Sequence, residues 1–268
     1  MSEQVCIEMD ETIRGLQWLR LNRPEARNAY SMEMIDALVA ALTAATMDTT
    51  VRAVIITGQG SAFSAGGDLK MMRERTGMFE GAPARLRTRY LEGIHRIPRR
   101  IASFDKPLIA AVNGPAIGAG LDLACMCDIR IAARSARFGS TFVRVGLIPG
   151  DGGAYFLSRT VGFPRALELV MSGRVIDTDE AHRIGLVHTV VDDDALEAAA
   201  RKQVERLLRA APLAVQLAKR LCYRSYEASL EVSLELAATY QGIVQNTADH
   251  DESVAAMLEK RRPVYSGE

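Results

Sequence analysis

The chain has 268 residues, 48% hydrophobic and 25% charged, a mix typical of a globular protein that buries a full core. Lys plus Arg and Asp plus Glu both number 33, so no net charge attracts it to nucleic acid or membranes. The sequence has no apolar stretch long enough to span a membrane, and its start, MSEQVCIEMDE, lacks the apolar segment of a secretory signal. We therefore expect a cytoplasmic protein.

The first seventy residues predict two strands, a helix and a buried strand. The strands are VCIEMD and LQWLRL, around a turn. Ser31 is the predicted N-cap of a helix over 32–45, whose apolar face comprises Met34, Ile35, Leu38, Val39 and Leu42. VRAVIITG is a continuous apolar run, typical of a strand buried on both faces of a parallel sheet, and the glycine-rich loop GQGSAFSAGGDLK follows it.

The middle of the chain alternates helices and strands, and the end is helical. Residues 71–103 are charged and predicted to be helical towards their end, with a break at Pro98. KPLIAAVNG and IRIAA are predicted strands on either side of a helix in GAGLDLACMCD, and FPRALELVMSG and DTDEAHRIG are helices before the strand LVHTVV. Helices follow over 192–209, 213–223, 229–244 and 251–261. This order predicts an α/β core followed by an α-helical C-terminal region.

Two loops after predicted strands have very small side chains, SAGGD at 64–68 and GPAIGAGLD at 114–122. A ligand can reach the backbone N–H groups of such loops, and the second loop enters a helix whose first N–H groups lack intrahelical partners. One N–H from each loop could hold an oxyanion, and such a donor is typically worth ~3–4 kcal/mol of barrier. The alternative is that the glycines only permit tight turns. Neither loop is a dinucleotide-binding fingerprint, and no Walker A motif is present.

Several motifs, in the same order along the chain, resemble the enoyl-CoA hydratase/isomerase (crotonase) family: NRPEARNAYS, FSAGGDLK at 63–70, KPLIAAVNGPAIGAGLDLACMCDIRIAA at 106–133, GLIPGDGGA at 146–154 and MLEKRRP. The resemblance covers nearly the whole chain. It implies a crotonase-like spiral of ββα units over residues 1–200 that binds CoA thioesters. It also implies a helical region, 201–268, for oligomerisation and active-site cover, in homotrimers or dimers of trimers. Coenzyme A would belong to the substrate, and no other cofactor is expected.

The resemblance also assigns candidate site residues. The oxyanion N–H groups carry over to Gly67 and Ala119. The expected contacts with the substrate and its CoA portion are Arg27, Ala65, Gly67, Asp68, Leu69, Lys70, Gly120, Phe142 and Lys260. For Arg27, Lys70 and Lys260 the alternative is an ordinary solvated charge.

Two acids are candidates for proton transfer. Asp122 lies three residues after Ala119, on the same helix face, and its side chain should lean towards the helix N-terminus and the oxyanion site. In the family this position usually holds a glutamate, and hydratases have a second one twenty residues on, where this chain has Phe142. A phenyl ring cannot hold or deprotonate a water molecule. Asp151 is the candidate replacement, and the alternative is that it is the N-cap of a helix beginning in DGGAYFLSR.

The expected activity is hydration of a 2-enoyl-CoA, because this is the commonest reaction of the family. Isomerisation of an enoyl-CoA double bond by a single carboxylate, and acyl-CoA binding with little turnover, remain alternatives. Cys125 and Cys127 lack the second cluster that a zinc site needs, so we expect buried reduced thiols and no metal. The arginines between 85 and 100 lack interleaved aromatics, which favours a solvated helix face over RNA contact.

Overall fold

A computed structural model describes residues 4–267, which divide into two compact units. The first unit comprises residues 4–104 and 108–201, and the second comprises residues 105–107 and 202–267. The first unit contains all the strands of the described chain and is α/β, whereas the second is helical. Each unit is therefore described by itself.

The described residues form nine strands: β1 Val5–Met9, β2 Leu16–Leu21, β3 Ala53–Gly58, β4 Leu108–Val112, β5 Ala116–Ile117, β6 Ile129–Ala133, β7 Phe138–Gly139, β8 Val175–Ile176 and β9 Thr189–Val191. Six of them form a sheet in the order β1-β2-β3-β4-β6-β9. Only the β1–β2 pair is antiparallel, and the other four pairs are parallel. The continuous apolar runs that predicted a parallel sheet correspond to β3 and β4, whose residues are buried except Gly58.

β5, β7 and β8 form a second, small sheet that the sequence did not predict. Each strand has two residues, which is too short for any alternation of apolar and polar side chains to be recognised. This sheet leads the chain into a 3-10 turn over Thr141–Val145, which contains Phe142.

The described residues also form twelve α-helices: α1 Met32–Met47, α2 Leu69–Glu74, α3 Pro83–Glu92, α4 Arg96–Ala102, α5 Ala119–Met126, α6 Gly153–Val161, α7 Phe163–Ser172, α8 Thr178–Arg183, α9 Leu196–Leu207, α10 Pro212–Ser225, α11 Leu230–Val244 and α12 Ala248–Leu258. Ser31 caps α1 as predicted, because its Oγ accepts the Met34 N–H at 3.2 Å. The predicted helix at 251–261 instead begins at Ala248, where the hydroxyl of Thr247 caps it.

The predicted break at Pro98 is wrong. Pro98 is the third residue of α4, and the N–H groups of a first helical turn have no intrahelical partner, so proline removes no bond there. The chain instead breaks between α3 and α4, at Gly93. Arg96 bonds to the Asp36 carboxylate, and Arg100 donates to the Leu42 carbonyl and the Thr46 hydroxyl, so these arginines fasten α4 to α1.

The central sheet brings the two side-chain-poor loops to one place. β3 and β4 are parallel neighbours, so the loops that leave their carboxyl ends emerge side by side. All eight residues of α5, which continues the second loop, are buried. The two loops therefore converge at the N-terminus of a buried helix.

Candidate active site

Backbone hydrogen bonds join the two loops directly. The Ser64 N–H donates to the Pro115 carbonyl at 3.1 Å, and the Ile117 N–H donates to the Ser64 carbonyl at 2.9 Å. Gly66 has φ +78°, and a Cβ there would lie 2.8 Å from the Ala119 nitrogen, closer than real Cβ atoms come. Only glycine allows this approach, and it places Gly67 beside the first turn of α5.

The two predicted oxyanion donors are available for a ligand. Within residues 4–267, neither the Gly67 N–H nor the Ala119 N–H donates to another residue. Ala119 is the first residue of α5, where the helix dipole also favours negative charge. Both residues line the same cavity.

This cavity has a volume of about 310 Å³ and a largely apolar wall that includes Leu69, Met72, Met78, Phe79, Ile94 and Leu147. Ala65, Phe142 and Asp151 line it as well. A cavity of this size, with two free N–H donors and one carboxyl group, suits a small acyl group with a polar reacting centre.

Asp151, which lines this cavity, meets Asp122 although 28 residues separate them in the sequence. Their exposed fractions are 4% and 0%. Their carboxyl groups face each other within hydrogen-bonding reach when one of them carries a proton. The Gly153 N–H also lies beside the Asp122 carboxyl group and acts to lower its pKa, but neither oxygen of Asp122 nor Oδ1 of Asp151 makes a hydrogen bond of ordinary geometry with a described residue.

Both carboxyl groups resist ionisation. Burial, and then the charge of Asp151, hold the pKa of Asp122 well above its ordinary value. Burial also raises the pKa of Asp151, although the hydrogen bond with Asp122 and the nearby His95 act in the opposite direction. Because two close buried carboxylates repel, the pair keeps one proton to a higher pH than separate aspartates would. A shared proton is what an acid and base acting together require.

The structure excludes one of the two predicted roles of Asp151, that of helix cap. The N-cap of α6 is Gly152, with φ 105°, and no side chain caps this helix. The prediction of an N-cap aspartate is therefore wrong, because the turn at Gly152 leaves Asp151 facing the cavity. Asp122, which we expected to face the oxyanion site, is instead enclosed behind Asp151, with its carboxyl group packed against Gly153.

Phe142 lies over the turn that enters α5. Its ring is 3.7 Å from where a Cβ on Gly118 would lie, and Gly118 has φ +55°. The ring therefore closes the cavity beside the Ala119 N–H with an apolar surface.

The remaining predicted contacts separate into two groups. Ala65, Gly67 and Leu69 line the cavity, whereas Arg27, Asp68, Lys70 and Gly120 do not. The Asp68 carboxylate caps α2 and pairs with Arg23 at 3.1 Å. A Cβ on Gly120 would collide with the Ser64 carbonyl, so Gly120 serves close packing of the two loops rather than the cavity.

Two of the predicted basic contacts, Arg27 and Lys70, do not line the cavity, and the third, Lys260, belongs to the second unit. Arg27 has φ 51°, and its carbonyl accepts the Ala65 N–H at 2.9 Å. Lys70 is exposed on α2. Lys260 follows α12 in the second unit, with φ 54°. Contact of these three residues with CoA stays a prediction.

Sequence reasoning missed three other residues near the acids. Tyr30 and Tyr90 line the cavity, and the His95 Nε2 donates to the Gly150 carbonyl at 2.6 Å. In the sequence, Tyr30 appeared only as one residue of the motif NRPEARNAYS, with no role assigned to it.

Cys125 and Cys127 are buried and form no disulfide, as predicted. Burial raises the pKa of Cys125 to about 12, which keeps its thiol protonated. Among residues 4–267, no cluster of His, Cys, Asp and Glu could hold a metal ion. No helix in this range has the length and apolarity needed to cross a bilayer.

Comparison with known proteins identifies the family. A model of the family described as enoyl-CoA hydratase/isomerase matches residues 11–268. The chain is 37% identical to a 2,3-dehydroadipyl-CoA hydratase of Escherichia coli over 249 residues, which is 93% of this chain and 94% of that protein. It is 36% identical to a 1,2-epoxyphenylacetyl-CoA isomerase of the same organism, covering 95% of this chain and 96% of the isomerase.

The fold agrees with solved structures of the same family. The crystal structure of an enoyl-CoA hydratase from Bacillus anthracis superposes with a TM-score of 0.91 at 34% identity, covering 99% of this chain and all of that one. An enoyl-CoA hydratase from Mycobacterium smegmatis gives 0.90 at 35% identity, covering 98% of this chain and 99% of that one. The predicted crotonase-like α/β fold is thus confirmed. The chain belongs to the enoyl-CoA hydratase/isomerase family.

Proposed function

We propose that this enzyme adds water to a 2-enoyl-CoA and forms a 3-hydroxyacyl-CoA. The observation that carries the proposal is the meeting of Asp122 and Asp151 beside the unpaired N–H groups of Gly67 and Ala119. Hydration needs a base for the water, an acid for the carbon and a site for the negative charge. This arrangement can supply all three.

The thioester carbonyl oxygen would lie between the two N–H groups. As water attacks C3, negative charge moves through C2 to this oxygen, and the two donors stabilise it as an enolate. Each preorganised donor of this kind is worth ~3–4 kcal/mol of barrier. The loops hold both N–H groups in place before substrate arrives, so no reorganisation is needed during the reaction.

The two carboxyl groups would then move two protons. Asp151, which faces the cavity, takes a proton from the water as the C3–O bond forms, and the proton already held by the pair goes to C2. The pair ends with one proton, as it began, so it is ready for another cycle. Acid–base help of this kind typically contributes ~10²–10⁴-fold to the rate.

The relatives' names support this reaction, because they include a crotonyl-CoA hydratase and a short-chain-enoyl-CoA hydratase at 36% and 37% identity. Double-bond isomerisation is the second candidate. Two observations favour it: Phe142 places an apolar surface beside the oxyanion site, and only one carboxyl group faces the cavity. A single carboxylate can move a proton between two carbons without any added water. A 1,2-epoxyphenylacetyl-CoA isomerase is also among the relatives.

An isotope experiment separates these reactions. Purified protein is incubated with a medium-chain 2-enoyl-CoA in ¹⁸O-labelled water, and products are followed by mass spectrometry. We expect rapid formation of 3-hydroxyacyl-CoA carrying one ¹⁸O, and at least a ~10²-fold slower rate for Asp151→Asn. An unlabelled product of unchanged mass with a moved double bond supports isomerisation. If Asp151→Asn matches the wild type, the acid pair has no part in the reaction.

We further propose that Arg27 and Lys70 lie near the pantetheine and adenine portions of CoA and that Lys260 contacts its phosphates, as the family resemblance implies. On the same basis, residues 201–268 would cover the active site and join subunits in a homotrimer or a dimer of trimers. Light scattering after gel filtration measures that state. A cytoplasmic location is supported by four cysteines that form no disulfide.

A further inference from the structure

The Tyr30 hydroxyl is a buried polar group without a partner. The residue is 2% exposed, and no other described residue forms a hydrogen bond with its Oη. Its side chain lines the same cavity as Asp151, Gly67 and Ala119. Buried hydroxyl groups in native proteins almost always find a partner, so an exception at a reactive cavity requires an explanation.

The backbone fixes Tyr30 relative to the oxyanion loop. Its N–H donates to the Gly66 carbonyl at 2.7 Å, and Tyr30 and Gly67 form a parallel bridge. The preceding turn is held by Asn28, which is fully buried, has φ 56° and donates to the Ala62 carbonyl at 2.8 Å. Tyr30 is therefore attached to the same short segment that carries one of the two N–H donors.

The charges nearest to this phenol are those of the acid pair. Burial raises the pKa of Tyr30 well above its ordinary value, and the carboxyl groups of Asp151 and then Asp122 raise it further. The phenol thus keeps its proton while the carboxyl groups exchange theirs. A neutral hydroxyl that both donates and accepts a hydrogen bond can hold a water molecule in a defined orientation.

We propose that the Tyr30 hydroxyl is a catalytic group that holds the reacting water against Asp151. The side chain of Phe142 has no polar atom that could hold this water. This inference rests on the proposed hydration. Tyr30 donates a hydrogen bond to the water oxygen, Asp151 accepts one of the water protons, and the oxygen forms its bond to C3. Tyr30 keeps its own proton throughout, so the proton balance of the acid pair is unchanged.

The test is Tyr30→Phe, which removes one oxygen and keeps the ring. We expect kcat for hydration to fall about 10²-fold while KM changes little, because the hydroxyl contacts the water and not the CoA thioester. We expect the melting temperature to stay the same or rise, since the variant removes an unpaired buried hydroxyl. Tyr155→Phe is the matched control, because Tyr155 is 46% exposed on α6 and does not line the cavity.

A second readout distinguishes water holding from a structural role. In deuterated water, the wild type should exchange an α-proton of a saturated acyl-CoA, a reaction that needs the oxyanion donors and a carboxyl group but no added water. Tyr30→Phe should keep this exchange within about threefold while it loses hydration. Equal losses of exchange and hydration, or no loss of hydration, overturn the assignment. If the wild type itself incorporates no ¹⁸O, the proposed hydration fails first and this inference fails with it.

Discussion

Gly153 allows the acid pair to be displaced without changing either acid. This glycine is the first residue of α6, and a Cβ there would lie 2.2 Å from Oδ1 of Asp122. Real Cβ atoms essentially never come closer than 3.0 Å. In Gly153→Ala the Asp122 carboxyl group must therefore move by about 1 Å, a displacement that can cost ~10²-fold in rate.

The same substitution should leave the fold intact. The colliding atoms, Cγ and both oxygens of Asp122, belong to a side chain and not to the backbone, and Gly153 does not have a positive φ, so the helix start itself can accept alanine. Alanine also lowers the conformational entropy of the unfolded chain, which typically adds ~0.4–1 kcal/mol of stability. Overpacking against the buried Asp122 carboxyl group opposes this gain and typically costs ~1–3 kcal/mol. We therefore expect a folded variant with a small change in melting temperature, whose kcat for hydration falls ~10²-fold, about 2.7 kcal/mol of barrier.

The assay is steady-state hydration of a 2-enoyl-CoA together with thermal unfolding of each variant. Gly242→Ala is the matched control, because Gly242 lies within α11 and no atom lies within 4 Å of where its Cβ would be. That variant should keep its activity and gain a similar stability. Full activity of Gly153→Ala would refute the reasoning, because the position of the Asp122 carboxyl group would then not matter to the reaction.

Three other predictions follow from the same geometry. Asp122→Asn should raise the free energy of unfolding, and by more at pH 8 than at pH 5. The reason is that an aspartate whose folded pKa is raised destabilises the fold increasingly as pH rises through that pKa. Urea unfolding at both pH values measures this, and an equal gain at the two pH values would contradict it. The rate of hydration should fall on the alkaline side as the Asp122–Asp151 pair loses its shared proton, so a pH–rate profile that stays flat there argues against the pair. Gly66→Ala should lose activity, and it should lose ~1–3 kcal/mol more stability than Gly162→Ala. Both glycines have positive φ, but of the two only Gly66 would bring its Cβ against backbone atoms, the Ile117 carbonyl oxygen and the Ala119 nitrogen. Equal losses of stability in thermal unfolding would show that the loops do not depend on this close approach.

The sequence predicted those parts of the fold that local patterns specify. The apolar runs of β3 and β4 and the Ser31 cap depend on neighbouring residues, and each is present in the structure. Pro98 was misread because the same residue ends a helix in its interior but is tolerated in its first turn. The two-residue strands of the second sheet depend on partners far along the chain, so no local pattern predicts them.

The candidate site was predicted only in part for a related reason. The glycine-rich composition of the two loops predicted one N–H donor from each, and the family resemblance assigned these donors to Gly67 and Ala119. The meeting of Asp122 and Asp151 depends instead on the path of the chain between them. A turn at Gly152 decides whether Asp151 caps α6 or faces the cavity, and no residue near it specifies that direction in the sequence.

The joining of the two glycine-rich loops through backbone atoms has a consequence for how the reaction can diversify. In the proposed mechanism, thioester activation depends on main-chain groups whose positions are set by Gly66 and by hydrogen bonds between Ser64, Pro115 and Ile117. Point substitutions elsewhere change side chains and leave those groups where they are. The acids, by contrast, are ordinary side chains on a helix start and a turn. Substitution of a side chain can therefore change the half of the proposed site that moves protons, while the half proposed to polarise the thioester stays in place. A site divided in this way is consistent with relatives of both kinds, a hydratase and an isomerase, at nearly equal sequence identity to this chain, 37% and 36%.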